Sequence, residues 1–146
     1  MRVTQEADYA IRICIVLNEA GEKLGASEIA DRSGTSQSFA LKILRKLNGE
    51  GIVSSFKGSA GGYVLAADPR ELSVAKVVGA IDGPICISKC MESGYECTRN
   101  PQKGKCKMHV AFCALNAQLA DKLSRITIDH LTDPSVTATE LVELIK

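Results

Sequence analysis

The chain has 146 residues and a net charge of +1, with 45% hydrophobic and 24% charged residues. This composition is typical of a globular domain, so it excludes a fully disordered chain and a uniformly basic nucleic-acid coat. No apolar run reaches the ~20 residues of a membrane span, and the N-terminus carries Glu6 and Asp8 instead of a signal-peptide pattern, so we expect a cytoplasmic protein without a membrane partner.

Three helices are predicted in the first third of the chain. The first runs from an N-cap at Thr4 to about Ala20, and apolar residues recur along it every three or four positions, namely Ala10, Ile13, Cys14, Leu17 and Ala20. A short second helix is predicted to open at a Ser27 cap and to end at Gly34. Ser36 is predicted to cap a third helix, Gln37 to about Leu47, which points Leu41, Leu44 and Leu47 inward.

A hairpin and a fourth helix are predicted next. Two short apolar runs, 52–56 and 63–66, flank the glycine-rich stretch 57–62 and predict two strands joined by a flexible tip. Ser73 is predicted to cap a fourth helix that runs to about Ile81.

The last part of the chain divides into a loop and two helices. Residues 83–105 are predicted to be irregular, and loops of that length are usually functional or disordered. A long helix is predicted from Cys106 to about Ile126, with one apolar face made by Met108, Phe112, Leu115, Leu119, Leu123 and Ile126. A last helix is predicted over about Ala138 to Ile145.

This order predicts a mainly α-helical protein with a small β-hairpin wing: a winged helix-turn-helix followed by a long helix. We divide the chain into a DNA-binding domain (1–82), a cysteine-rich loop (83–106), and a long helix with a C-terminal helix (107–146). Between Arg32 and Lys57 there are five basic residues and one acid, which is a local electrostatic footprint for DNA in a nearly neutral chain.

The start of the third helix is predicted to meet base edges in the major groove of double-stranded DNA. The residues assigned to base contacts are Ser36, Gln37, Ser38 and Phe39. Phosphate contacts are assigned to Lys42, Arg45 and Lys46. The wing is predicted to reach DNA through Lys57, Ser59, Gly61 and Gly62. A generic helix pair with a solvated basic face is the alternative interpretation of the same charges.

Five of the six cysteines fall between positions 86 and 113, with His109 three residues after Cys106. The segment contains no paired Cys-x2-Cys knuckle of the zinc type, so widely spaced thiolates favour an iron–sulfur cluster. Cys14 is expected to be a buried, inert thiol, whereas Cys86 and Cys113 stay ambiguous between spare thiols and ligands.

Two alternatives compete with a metal-sensing regulator. Lysines flank the cysteines and could lower the pKa of a thiol, so a regulator with a thiol or disulfide switch and no cluster is one alternative. A small structural or electron-transfer metal protein is the other. We expect no enzyme, because the sequence contains no phosphate-binding glycine loop and no His-Glu-x-x-His or Gly-x-Ser-x-Gly motif.

The sequence resembles the IscR/NsrR-type regulators of the Rrf-two family from Met1 to about Leu131. The resemblance is carried by the opening MRVTQEADYAIR, by EGIVSSFKGSAGGY at 50–63, by LSVAKVVGAID at 72–82, and by LSRITIDHL at 123–131. It implies a homodimeric DNA-binding repressor or activator, of which we expect a repressor, that binds a pseudo-palindromic operator. It also implies that the long helix crosses the partner's and that an iron–sulfur cluster senses cluster status, redox state or nitric oxide.

The ligand set is implied by the same resemblance. Cys90, Cys97 and Cys106 match the three cysteine ligands of the family, and the fourth ligand is either His109 or Asp8 of the other subunit. The spacing between the cysteines is wider than the family's usual spacing, and the cluster is either 2Fe–2S or 4Fe–4S. Leu41 stands where some members carry a site-selecting glutamate, so no operator sequence is carried over.

Overall fold

The computed structural model describes residues 3–99 and 102–146. Its helices are α1 (Gln5–Ala20), α2 (Ala26–Ser33), α3 (Gln37–Gly49), α4 (Val74–Asp82), α5 (Lys107–Arg125), α6 (Ile128–Thr132) and α7 (Ala138–Leu144). Strands β1 (Val53–Phe56) and β2 (Gly62–Leu65) form an antiparallel hairpin in which Val53 pairs with Leu65 and Phe56 with Gly62. The mainly α-helical winged fold is therefore confirmed. The first two residues of the predicted opening motif lie outside the described part of the chain.

Helix α1 is the centre of the fold, since it packs against α2, α3, α4, α6 and β2. The predicted apolar face is buried at Ala10, Ile13, Cys14 and Leu17, whereas Ala20 stays half-buried at the end of the helix. Thr4 caps the helix as predicted, because its side chain accepts a hydrogen bond from the Ala7 amide. Such a cap contributes about 1 kcal/mol.

The turn between α2 and α3 needs a left-handed backbone. Gly34 has φ +75°, and its N–H closes α2 by donating to carbonyls in the last turn. Ser36 then caps α3 by accepting from the Phe39 amide, as predicted. Helix α3 continues two residues past the predicted end and buries Leu44 and Leu47, while Leu41 is only half-buried.

The predicted Ser27 cap is wrong. Helix α2 begins at Ala26 with Gly25 as its N-cap, and Ser27 lies exposed within the first helical turn. The extended backbone of Gly25 precedes the helix, and its carbonyl accepts from the Ile29 amide, so the first turn forms without a side-chain cap. A glycine N-cap costs only a few tenths of a kcal/mol relative to serine.

The long helix α5 ends at Arg125, one residue from its predicted end, but the helix that follows it was not predicted. Thr127 caps this separate short helix, α6, in a capping box with His130. The chain turns there because Ile126 and Ile128 make backbone hydrogen bonds to Val74 and Leu72, beside the start of α4. Ile128 is buried in the winged-helix core, so α6 attaches the end of the long helix to the first domain.

Candidate DNA interface and cysteine loop

The start of α3 offers exposed polar side chains at the open end of the helix pair. Ser36, Gln37 and Ser38 are all exposed, and the Ser36 and Ser38 hydroxyls lie 3.3 Å apart. Phe39 is half-buried, since its ring packs edge-on against Tyr9 of α1 with the centroids 5.7 Å apart. The helix start is thus open to a base edge, with the aromatic ring held beneath it.

The three basic residues of α3 do not have equal surroundings. Arg45 is exposed, whereas both lysines form ion pairs with one carboxylate of α1. Lys42 Nζ lies 3.0 Å from Glu6 Oε2, and Lys46 Nζ lies 2.8 Å from Glu6 Oε1. The adjacent ammonium groups of Lys46 and then Lys42 lower the pKa of Glu6 below its usual range. This contact was not predicted, because no sequence pattern brings a residue of the first helix next to the third.

The wing is built around two glycines that no other residue could replace without movement. A Cβ on Gly61 would lie 2.5 Å from the Phe56 carbonyl oxygen, and a Cβ on Gly62 would lie 2.5 Å from the Leu24 carbonyl oxygen. Gly62 is buried, while Lys57 and Ser59 are exposed at the tip. These close approaches explain why both positions need glycine, whether or not the wing contacts DNA. The assignment of Gly61 and Gly62 to DNA contact stays a prediction.

A further basic residue beside the wing, Lys23, was not predicted. Leu24 exchanges backbone hydrogen bonds with Tyr63, which brings the preceding Lys23 alongside the hairpin. The Lys23 ammonium sits 5.7 Å from the centroid of the exposed Phe56 ring. Lys23 therefore adds a positive charge beside the wing, and its distance of 33 positions from Phe56 in the sequence explains why local patterns did not find it.

The cysteine loop starts directly at the end of α4 and returns at the start of α5. Two short 3-10 turns, Lys89–Met91 and Lys103–Lys105, interrupt the segment that was predicted to be irregular. Asn116 of α5 holds the beginning of the loop by accepting from the Ile87 amide and donating to the Ile85 carbonyl. The loop is thereby attached to α5 at one end by two hydrogen bonds.

His109 brings two thiols together at this junction. Its Nδ1 lies 3.3 Å from Cys90 Sγ, and its Nε2 lies 3.5 Å from Cys113 Sγ, one helical turn later on α5. Cys90, Cys97, Cys106 and Cys113 are all half-buried. The predicted pair Cys90 and His109 thus meets, whereas over residues 3–99 and 102–146 no three ligand side chains converge in a metal-binding arrangement.

The other candidate ligand, Asp8, lies far from the loop in sequence and forms an ion pair on its own helix. Its carboxylate is 2.8 Å from the Arg12 guanidinium, and about half of each side chain is exposed. A contact to the loop of another subunit is compatible with this exposure. The ligand assignments of Asp8, Cys97 and Cys106 stay predictions.

A hydrogen bond joins the end of α4, just before the loop, to the start of α1. The Thr4 hydroxyl donates to Asp82 Oδ1 at 2.7 Å, and Asp82 is the last residue of α4 before the loop. A cavity of about 570 Å³ opens beside this contact, between α1, α4, the loop and α5. Its lining includes Val3, Ile85, Cys86, Met91 and Leu119. The loop therefore borders the N-terminus of α1 within one chain.

Helix α5 leaves part of its predicted apolar face uncovered. None of its residues is buried, and Met108 and Leu115 of that face, like Val110, are more than half exposed. The other four residues of the face are half-buried, and Leu123 and Ile126 pack against the core. No helix in the described residues is long and apolar enough to cross a membrane.

Comparison with known proteins agrees with this architecture. Residues 3–134 match the model of the Rrf2 family, described as an iron-dependent transcriptional regulator. A protein of Rhodobacter capsulatus described as an rrf2-like HTH-type transcriptional regulator is 30% identical over 97% of this chain and 99% of its own length. The HTH-type transcriptional regulator IscR of Escherichia coli K12 is 29% identical over 91% of this chain and 81% of its own length.

Solved structures show the same fold at lower identity. The global cysteine regulator CymR of B. subtilis superimposes with a TM-score of 0.70 at 20% identity, covering 90% of this chain and 96% of that one. IscR of T. potens superimposes with a TM-score of 0.66 at 16% identity, covering all of this chain and 89% of that one. The fold similarity thus spans the winged helix, the loop and the long helix.

Proposed function

The chain belongs to the Rrf2 family of transcriptional regulators, and from this premise we propose that it is a homodimeric repressor whose operator affinity is controlled by an iron–sulfur cluster on its cysteine loop. The observation that carries the proposal is the contact between Cys90 and His109, which joins the loop to the long helix. The membership of this chain in a family of transcriptional regulators agrees with the expectation that the protein is not an enzyme.

The DNA part of the proposal rests on the exposed start of α3 and the wing. A recognition helix presents its N-terminal residues to base edges, and Gln37 and Ser38 are exposed at that position. A glutamine side chain can form two hydrogen bonds with an adenine edge, whereas a lysine mainly contacts phosphate. We assign sequence readout to Gln37 and Ser38, and sequence-independent contacts to the lysines of α3 and the wing.

The cluster part of the proposal rests on the donor set. Cys90, Cys97 and Cys106 would supply three thiolates, and either His109 or Asp8 of the partner subunit would supply the fourth ligand. Nδ1 of His109 faces Cys90, so this nitrogen is the one placed to ligate. Nε2 would then be held by Cys113, in the way that ligating histidines are usually fixed through their second nitrogen. When bound, the cluster supplies a centre of 2Fe–2S or 4Fe–4S type that responds to redox state or nitric oxide.

A physical link between loop and DNA interface supports the control mechanism. The loop is attached to α5 through Asn116 and borders the start of α1 across the cavity, where Asp82, the residue before the loop, accepts from Thr4. A metal site that orders the loop would favour one arrangement of these contacts, because ligand-binding energy is also ordering energy. In a dimer this arrangement sets the spacing of the two recognition helices, which must be about one DNA turn.

The dimer is supported by the uncovered face of α5. Apolar side chains on one helix face are normally buried, but Met108 and Leu115 on this face are more than half exposed and Phe112 between them is only half-buried. A second copy of the same helix is self-complementary in a two-fold interface. We therefore assign α5 as the dimerisation helix.

The proposal is tested by purifying the protein without oxygen and measuring visible absorption, iron and sulfide. We expect a coloured protein with about two or four irons per chain, and we expect Cys97→Ala to lose the visible absorption. Cys86→Ser is the matched control, since Cys86 lies on the same loop but outside the proposed ligand set. Retained absorption in Cys97→Ala contradicts the ligand assignment.

One observation favours a second candidate, a thiol switch without a cluster. His109 contacts Cys90 and Cys113 at once, which is an environment in which an imidazole can promote thiol chemistry. A wild-type protein that stays colourless after attempted reconstitution with iron and sulfide supports this alternative. Peroxide-dependent loss of DNA binding, reversed by dithiothreitol, is then expected.

A further inference from the structure

One carboxylate lies among the basic residues of the proposed DNA interface. The side chain of Glu6 is only 18% exposed, and it contacts both Lys42 and Lys46, which are 57% and 39% exposed. Lys46 also donates to the backbone carbonyl of Ile81 at 3.4 Å, at the end of α4. Two of the three basic side chains on α3 are therefore committed to partners inside the protein.

This contact differs from the other ion pairs of the described residues. The remaining pairs join residues only three or four positions apart in the sequence, for example Arg12 with Asp8 and Arg125 with Asp121. Such exposed pairs contribute little, because water and salt screen them. The Glu6 pairs instead bridge α1 and α3, whose packing fixes the separation of the charges.

We propose that Glu6 is a positioning residue that restrains Lys42 and Lys46 and thereby limits the sequence-independent part of DNA binding. The inference rests on the proposed DNA contacts of α3. Contacts to phosphate supply most of non-specific affinity, and each one steepens the salt dependence of binding. By engaging two lysines, Glu6 lowers the charge that α3 presents to any duplex and leaves the exposed Gln37 and Ser38 unaffected.

The consequence is a weaker attraction to DNA of any sequence, because lysine–phosphate contacts form on the operator and on other sequences alike. Glu6 would weaken that attraction without touching a base.

The test compares Glu6→Gln with wild type on a mixed-sequence DNA duplex of about three helical turns. Glutamine keeps the size of the side chain and removes its charge, which releases the lysines for phosphate. We expect tighter binding at low salt, and a slope of log K against log salt that is steeper by about 0.9 for each lysine released. Glu19→Gln is the matched control, because it removes the same charge from the exposed far end of α1 and should leave the slope unchanged.

The double variant Lys42→Ala/Lys46→Ala separates the inference from the proposed DNA contacts. If the double variant lowers the slope of log K against log salt while Glu6→Gln matches wild type, Glu6 does not restrain the lysines, although the lysines do contact phosphate. If neither variant changes the slope, the lysines do not contact phosphate, and both assignments fail. A lower melting temperature of Glu6→Gln with an unchanged slope would show a structural ion pair only, and it overturns the inference.

Discussion

The winged-helix region, residues 3–82, and the long helix α5 both carry apolar faces, but only the winged-helix region buries its apolar side chains. Within residues 3–99 and 102–146, the buried hydrophobic residues lie between Ala7 and Ile81, apart from Ile128, which α6 inserts into the same core. Helix α5 has nineteen residues and buries none of them. The DNA-binding unit therefore covers its apolar side chains within one chain, whereas α5 leaves apolar side chains available to another surface.

The cysteines follow the same division. Cys14 is fully buried in the core, and burial raises the pKa of its thiol to about 12. The other cysteines, in the loop and on α5, are half-buried. Because the thiolate is the reactive form, chemistry is restricted to the second region.

The largest expected effect is a difference in thiol reactivity. In the apo protein at neutral pH, we expect a maleimide to modify Cys14 at least about a thousandfold more slowly than Cys86, since Cys14 reacts only after the core opens. Mass spectrometry of peptides after timed labelling measures both rates in one sample. Equal rates would show that the core opens as readily as the loop, and the contrast between the two regions would then be lost.

A charge on the uncovered part of the α5 face should break the proposed dimer. We expect Leu115→Lys to raise the dimer dissociation constant at least about a hundredfold, roughly 3 kcal/mol, because an unpaired ammonium would be buried at the interface. Sedimentation equilibrium measures this constant. Val142→Lys is the matched control, since Val142 on α7 is 52% exposed and Leu115 is 53% exposed. An unchanged dimer in Leu115→Lys would place the interface elsewhere.

The smallest expected effect lies where the two regions join. Ser73 caps α4 by accepting from the Lys76 amide at 3.2 Å and lies opposite Thr127, which caps α6. We expect Ser73→Ala to lower the free energy of unfolding by about 1 kcal/mol in urea titrations. Ser27→Ala, which removes no cap, should change it by less than about 0.5 kcal/mol. Equal losses would mean that the hydroxyl at Ser73 contributes no capping energy.

Much of the fold was predictable because its signals are local. Three of the predicted caps, Thr4, Ser36 and Ser73, accept the expected amide hydrogen bond, since a cap depends on residues three positions apart. Where a cap failed, at Ser27, the chain used the extended backbone of Gly25 instead. The separate helix α6 was missed because contacts with Leu72 and Val74, more than fifty positions earlier, turn the chain there.

The candidate site was predictable to a smaller extent. Sequence spacing and family resemblance pointed to the exposed start of α3 and to Cys90 and His109, which the structure brings within 3.3 Å. The pairing of Cys113 with the second nitrogen of His109 also follows helical spacing and could have been foreseen. The contact of Glu6 with Lys42 and Lys46 could not, because it depends on how α1 crosses α3.

Local sequence signals were therefore enough for the winged-helix type, for three of the helix caps, for the inert Cys14 and for the residues able to donate to a metal. Periodicity, capping and chemical type act over a few neighbouring residues and need no knowledge of the packed chain. Tertiary packing was needed to show which charges of α3 are restrained, where the chain turns into α6, and which part of the apolar face of α5 remains open. Those properties depend on burial and on distances between helices, and packing sets both after distant parts of the chain have come together.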